Sequence, residues 1–329
     1  MENKKFENLV VTSSPHAVSN EDTQRIMGMV IAALIPSLCV SAYVFGPRVL
    51  LLSVICVAAS IAFEYIFNAI MKRPQPIKDL SAALTGLLIS FNIPANLPIY
   101  IAVIGCFIAI IIIKGLFGGL GKNLFNPAIT ARVVLFISFA TEMTTWPTPR
   151  VGGASNIDAN TTATPLGILK VTGDPKQINV SNMDLFLGFV GGSLGEVSAL
   201  ALLVGGLFLI WKKVISPIVP LCFIGTVALL AVIAGQDPLF HILSGGVFLG
   251  AFFMATDYAT SPYLTKGKII FGIGCGIMTM LIRLFGNYPE GVSFAILLMN
   301  VMTPLIDNYC INSMYKVKKV KKGGSEDGK

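Results

Sequence analysis

Ten separate runs of apolar residues dominate this chain and fix what it can fold into. They cover about residues 26–46, 49–70, 80–94, 98–114, 125–142, 185–211, 217–235, 239–257, 268–286 and 291–311. Most have roughly the 17–25 residues that an α-helix needs to cross a hydrocarbon core. Only 12% of the 329 residues are charged and 54% are hydrophobic, against about 25% charged in a soluble domain. That leaves too little polar surface for a water-soluble globule, and a soluble enzyme is excluded. The expected fold class is an all-α polytopic membrane protein with about ten transmembrane helices. Two runs depart from simple spans: 80–94 is short and closes on Asn92-Ile93-Pro94, and 185–211 contains Gly191-Gly192-Ser193-Leu194-Gly195-Glu196. The first 24 residues lack the apolar centre and cleavage site of a signal peptide, so none is expected.

Lys and Arg favour the cytoplasmic side of short loops, and they orient the spans. With both termini cytoplasmic, the inner connections collect Lys72, Arg73, Lys78, Lys114, Lys122, Lys212, Lys213, Lys266, Lys268 and the Lys-rich tail. The outer side keeps Arg48, Arg150, Lys170 and Lys176, and Arg132 and Arg283 stay inside apolar runs. The formal net charge of +7 is thus a topology signal, and no nucleic-acid partner is expected. A bacterial cytoplasmic membrane is the expected location, with lipid as a partner. The halves are weakly alike, residues 85–94 standing where 244–253 stand in the second half. Five spans per half require an inverted repeat, an arrangement that places sites near the bilayer midplane where helices are broken by Gly or Pro. The chain divides into a cytoplasmic segment 1–24, a first five-helix half 25–142, an external loop 143–184, a second five-helix half 185–312 and a basic tail 313–329.

Several chemistries find no foothold. Cys39, Cys56, Cys106, Cys222, Cys275 and Cys310 lie in apolar runs with no C-x-x-C pair, so they read as core residues and no metal site is expected. Gly121-Lys122 lacks the rest of a phosphate loop. Gly272, Gly274 and Gly276 lack the dinucleotide pattern and read as close helix packing, so no NAD site is expected.

The external loop holds Asp158-Ala159-Asn160-Thr161-Thr162-Ala163-Thr164-Pro165. Asp and Thr side chains bind nearby backbone amides, so a local turn is one reading. Asn160-Thr161-Thr162 also fits a glycosylation sequon. Attachment of a phosphate-bearing group to a threonine hydroxyl is the third, and physical reasoning alone leaves all three open.

The motif Asp158-x-x-Thr161-x-Ala163-Thr164 resembles the flavinylation motif of the D-type membrane component of the Rnf electron-transport complexes. The B-type component of the sodium-translocating NADH:quinone oxidoreductases shares it. Residues 121–139, 253–262 and 283–300 resemble three further blocks of that family, in the same order, and the likeness spans about residues 20–312. It implies a fold resembling urea transporters and a covalent FMN, joined by a flavin transferase through a phosphoester to Thr164. Asp158, Thr161, Thr162 and Ala163 would complete the attachment site; Thr162 stands where the family often has Gly or Ser. The chain would be one component of an ion-translocating ferredoxin:NAD+ oxidoreductase without a complete active site of its own. It would relay electrons beside an FMN-bearing G-like subunit. Riboflavin is a further cofactor in the quinone-reductase branch.

Ionisable groups inside a membrane are expensive and functional by default. Glu64, Asp257 and Asp307 are the expected ion-path residues; Glu196, Arg132 and Arg283 are further intramembrane charges, the arginines expected to pair with carboxylates or reach the interface. Asn126, opening Asn126-Pro127-Ala128, is expected at a broken helix end that binds a cation or a flavin edge. Two other function classes compete: an inverted-repeat transporter or channel without a redox role, and a structural membrane anchor.

Overall fold

The computed structural model describes residues 22–73, 79–150, 161–172, 181–286, 288 and 290–314. Four helices are long and apolar enough to cross a membrane: α1 (Thr23–Phe45), α2 (Arg48–Ile70), α13 (Thr265–Phe285) and α14 (Val292–Met314). Shorter apolar helices pack among them, and the chain is a multi-pass, all-α membrane protein. The short helices are α3 (Ser81–Phe91), α4 (Ile99–Phe107), α5 (Pro127–Ser138), α6 (Ala140–Thr144), α7 (Pro165–Thr172) and α8 (Asn182–Leu187). They continue with α9 (Ala199–Trp211), α10 (Ile218–Ile233), α11 (Pro238–Leu243) and α12 (Val247–Leu249). α4 runs on as a π-helix over Ile108–Gly115, and α12 does the same over Gly250–Met254. A two-residue antiparallel ladder, β1 (Trp146–Pro147) with β2 (Thr161–Thr162), pairs the start of the polar loop with the residues just before Thr164.

The long helices keep apolar side chains on their outer faces, as contact with lipid requires: Tyr43, Val54, Ile70, Phe285 and Leu305 are exposed. One core runs through both halves. α1 packs on α9 and α5 on α14, and within the halves α2 packs on α3 and α10 on α13.

Several of the ten apolar runs are interrupted, and two of the breaks have a visible reason that bears on the site. α3 stops at Asn92, whose Nδ2 donates to the Leu88 carbonyl (2.6 Å), and Pro94 and Pro98 forbid its continuation. The carbonyls freed there are taken up by residues 191–198: Leu194 N–H donates to Ile93 O (3.1 Å) and Gly195 N–H to Phe91 O (2.8 Å). Ser37 and Ser41 of α1 donate their hydroxyls to the Gly195 and Leu194 carbonyls. This irregular segment is therefore held in the protein interior, where polar backbone must find partners. The second break is Ser244-Gly245-Gly246, with φ of +66° and +71° at the glycines, a conformation that favours glycine.

Candidate functional site

Thr164 lies within the polar loop, directly before α7. Its Oγ1 accepts from Gly167 N–H at 3.1 Å, and Pro165 occupies the first helical position, an arrangement suited to a helix N-terminus. The residue is 7% exposed. It lines a pocket of about 30 Å3 with Leu166, Gly191, Gly192, Glu196, Ser244, Gly245 and Glu290. The turn reading of the Thr cluster is thus realised at Thr164. The backbone of Thr161 and Thr162 forms β2 and Ala163 is exposed; Asp158 lies outside the described residues.

Arg132, in the middle of α5, joins the two breaks. Its Nη1 donates to Asn92 Oδ1 (2.8 Å) and pairs with Glu196 (2.5 Å), while its Nη2 pairs with Glu290. Glu196 belongs to the irregular segment before α9 and packs against Gly246; Glu290 lies in the connection between α13 and α14. The sequence singled out Arg132 and Glu196 but not Glu290, which hides in a Pro-Glu-Gly stretch between two apolar runs. Arg283 departs from the expectation of a carboxylate partner. It donates instead to the carbonyls of His241 (2.6 Å), Ser244 (2.8 Å) and Gly245 (3.3 Å), satisfying the backbone at the second break. Among the described residues no carboxylate reaches it within ion-pair distance.

Six residues along α5 from Arg132, about 9 Å of helix rise, Asn126 caps the helix. Its Oδ1 accepts from Ala128 N–H (3.1 Å) and Ile129 N–H (3.3 Å), and its Nδ2 donates to Met254 O (3.3 Å). Asn126 thereby links the start of α5 to the end of the π-helical turn in the other half. It lines a cavity of about 80 Å3 with Asn123, Lys114, Thr85, Phe252 and Asp257. An adjoining cavity of about 480 Å3 shares Asp257, Tyr258 and Leu120 and adds Lys268 and Tyr263.

The three ion-path candidates do not share one space. Asp257 borders both of these cavities and accepts from Thr260 (3.2 Å). Asp307 accepts from Tyr263 N–H (3.3 Å) and so holds the loop that borders the larger one. Glu64 is buried in an ion pair with Lys114 (2.5 Å), which also donates to Ser81 (2.6 Å). Both line a third cavity of about 290 Å3 with Asn68 and Arg73. Lys114 was expected in a solvent-facing connection; at 3% exposure it is a core residue, because the π-helical stretch carries it back under α2.

Residues 10–316 match the sequence profile described as the NQR2, RnfD, RnfE family. The chain is 50% identical to the D-type component of the Na(+)-translocating ferredoxin:NAD(+) oxidoreductase complex of Acetobacterium woodii, over 96% of this chain and 98% of the relative. It is 45% identical to the corresponding component of the proton-translocating ferredoxin:NAD(+) oxidoreductase complex of Clostridium ljungdahlii, over 91% and 93%. The corresponding component of the ion-translocating oxidoreductase complex of Stutzerimonas stutzeri is 41% identical, over 87% and 90%. The chain belongs to the NQR2, RnfD, RnfE family. All four blocks that carry the resemblance fall inside the matched span. Two of them supply the groups just described: residues 121–139 give Asn126 and Arg132, and residues 283–300 give Arg283 and Glu290.

Proposed function

We propose that this chain is the membrane redox subunit of an ion-translocating ferredoxin:NAD+ oxidoreductase complex and carries FMN on Thr164. The family membership and the names of close relatives support the complex. The observation that carries the cofactor assignment is Thr164 itself: the acceptor hydroxyl of the motif sits at a helix N-terminus. The positive end of the helix dipole stabilises a phosphate there. The phosphate end of FMN fits this position, whereas a pocket of about 30 Å3 does not take the ring system. Covalently held FMN supplies a redox centre that exchanges one or two electrons and does not diffuse away. The remaining work falls to the protein: Thr164 anchors, α7 positions, and the Arg132 cluster sets the local charge.

The same reading assigns the architecture to a five-plus-five inverted repeat of about ten spans resembling urea transporters. The pairing of α1 with α9 and of α5 with α14 supports it, since each half contributes its first and last helix to the seam. Both termini are cytoplasmic and the Thr164 loop is external, in a bacterial cytoplasmic membrane. Partners are the other members of the complex, including a G-like FMN subunit, and a flavin transferase that matures this one. The adjoining cavities at Asn126 and Asp257 are the place for riboflavin. Glu64, Asp257 and Asp307 line the ion path. Relatives of 50% and 45% identity are named for Na+ and for protons, so either cation is compatible.

The test is a denaturing gel of the chain co-produced with a flavin transferase, viewed under ultraviolet light and followed by peptide mass analysis. A fluorescent band with the FMN mass on the Thr161–Thr164 peptide is expected. A dark, unmodified chain beside an active transferase would move the assignment to a transporter or an anchor.

A further inference from the structure

Deep in α14, Asn300 is buried without a partner. It is 1% exposed, yet neither its Oδ1 nor its Nδ2 has a hydrogen-bond partner among the described residues. An amide stripped of water and left unpaired is costly, so its presence calls for something that uses it. Asn300 stands about 12 Å of helix rise from the start of α14, well inside the apolar layer. Pro304 follows one turn later inside the same helix. Proline brings no N–H, so the main-chain carbonyl of Asn300, four residues back, lacks its α-helical donor. One side-chain oxygen and one main-chain oxygen of the same residue are therefore open to a ligand.

The surroundings carry this polarity toward the cavities at Asp257. Asn300, Thr303 and Asp307 recur at the spacing that puts them on one face of α14. Thr303 donates to the carbonyls of Thr260 (3.0 Å) and Met299 (3.1 Å), and Thr260 donates to Asp257 (3.2 Å). Asp257 borders the cavities of about 80 and about 480 Å3. A line of oxygen atoms thus leads from open space at Asp257 to the amide one turn beyond Thr303. In the other direction Ile296 and Val292, one and two turns before Asn300, pack on Gly250, where the π-helix Gly250–Met254 begins. Such a register is frequent at functional sites, and the C-terminal carbonyls of a helix carry the negative end of its dipole.

We propose that Asn300 is a ligand of a dehydrated Na+ ion in the membrane interior. The inference rests on the reading that Asp257 and Asp307 line an ion path, and it names the interior station of that path. Amide oxygens and carbonyls released at a helix break are the groups that replace the water of an alkali cation inside a membrane. Neither takes up a proton, which selects a metal cation over H+. The carboxylate of Asp257, reached through Thr303 and Thr260, supplies the countercharge that a cation in the apolar layer requires. Because the ligand oxygens of Asn300 are neutral, the ion is held loosely enough to leave again.

Carbodiimide labelling of the assembled complex carrying Asn300→Asp tests the site. Dicyclohexylcarbodiimide attacks buried carboxyls in their protonated form, and fragment mass analysis locates the adduct at position 300. NaCl is expected to slow this labelling at constant pH and ionic strength, about tenfold at ten times the half-protecting concentration, while choline chloride does not. Equal labelling in the two salts overturns the proposal. The path is tested apart from the site by adding Asp257→Asn, which should weaken the protection; unchanged protection keeps the Na+ site and detaches it from Asp257. A second measurement compares thermal midpoints of the full chain in detergent. NaCl should raise the midpoint of the parent above its value in choline chloride, and Asn300→Leu, of similar volume, should erase that difference. A parent without a Na+ response, or a response that Asn300→Leu leaves intact, overturns the proposal. If Asn300→Asp fails to accumulate, the thermal comparison decides alone. If Thr164 carries no flavin, the redox reading fails while both measurements, which need none, still rule on the cation site.

Discussion

Arg132 shows how one side chain commits this molecule. Its planar fork reaches Asn92, Glu196 and Glu290 at once, a geometry that a lysine point charge does not reproduce. Replacing it by Met leaves two buried carboxylates without their ion-pair partner, which destabilises by about 3–5 kcal/mol. A marked fall in the thermal midpoint of the detergent-solubilised chain is expected. The same substitution in a Glu196→Gln, Glu290→Gln background should be much milder; an equal loss there would trace the effect to packing rather than charge. At Thr164 the hydroxyl is the requirement and the methyl is incidental. Thr164→Ser should therefore keep both the helix cap and covalent flavin, and Thr164→Ala should lose flavin while the complex still assembles. Retained covalent FMN in Thr164→Ala would place the attachment elsewhere.

Helices are where sequence reading reached furthest, and their breaks are where it stopped. Apolar run length located α1, α2, α13 and α14 because lipid-facing helices are apolar all round and leave no ambiguity of period. Asn92-Ile93-Pro94 and Gly191-Gly192-Ser193-Leu194-Gly195-Glu196 announced interruptions by residue type alone, whereas Ser244-Gly245-Gly246 was not singled out as a break. What residue type could not carry was the partner of each freed carbonyl. Leu194 and Gly195 serve α3, and Arg283 serves α11. These contacts span about 100 and about 40 residues of chain and leave no local signature, although every buried carbonyl must have a partner. Lys114 was misplaced for the same reason: it follows an unbroken Ile run and reads as the first residue of a loop, and only its long-range pair with Glu64 pulls it inside. Asn126 was readable, since Asn before Pro is a helix-start signature. Its cap supplies two bonds within α5 and one to Met254. Asn126→Ala should lower stability by about 1 kcal/mol for the cap and about 1 kcal/mol for the buried Met254 acceptor. An unchanged thermal midpoint would mean that the cap contributes nothing to holding the halves together.

At the scale of the whole molecule, two helix pairs join the halves, and the α1–α9 seam depends on small residues. Gly205 of α9 faces the Ala33 carbonyl of α1 so closely that an added Cβ would strike backbone, which has no rotamer to escape into. Close approach of this kind is how membrane helices associate without a hydrophobic driving force. Gly205→Ala should reduce the yield of folded chain severely. Gly225→Ala on α10, where a Cβ meets open space, should be neutral or gain about 0.5–1 kcal/mol of helix propensity. Equal behaviour of the two would mean that the seam does not hold the halves. Orientation is the remaining property at this scale. The charge argument loses Lys114, now a buried partner of Glu64, yet Lys72, Arg73, Lys212, Lys213, Lys266 and Lys268 still share one side in the proposed topology. That side is the one opposite Thr164, and the proposed electron relay requires this separation. A cysteine introduced at position 160 tests it, in a background where the exposed Cys39 and the half-buried Cys222 are replaced by serine. A membrane-impermeant maleimide should label it in intact cells. Labelling that appears only after lysis would turn the molecule over and put the Thr164 pocket on the cytoplasmic side.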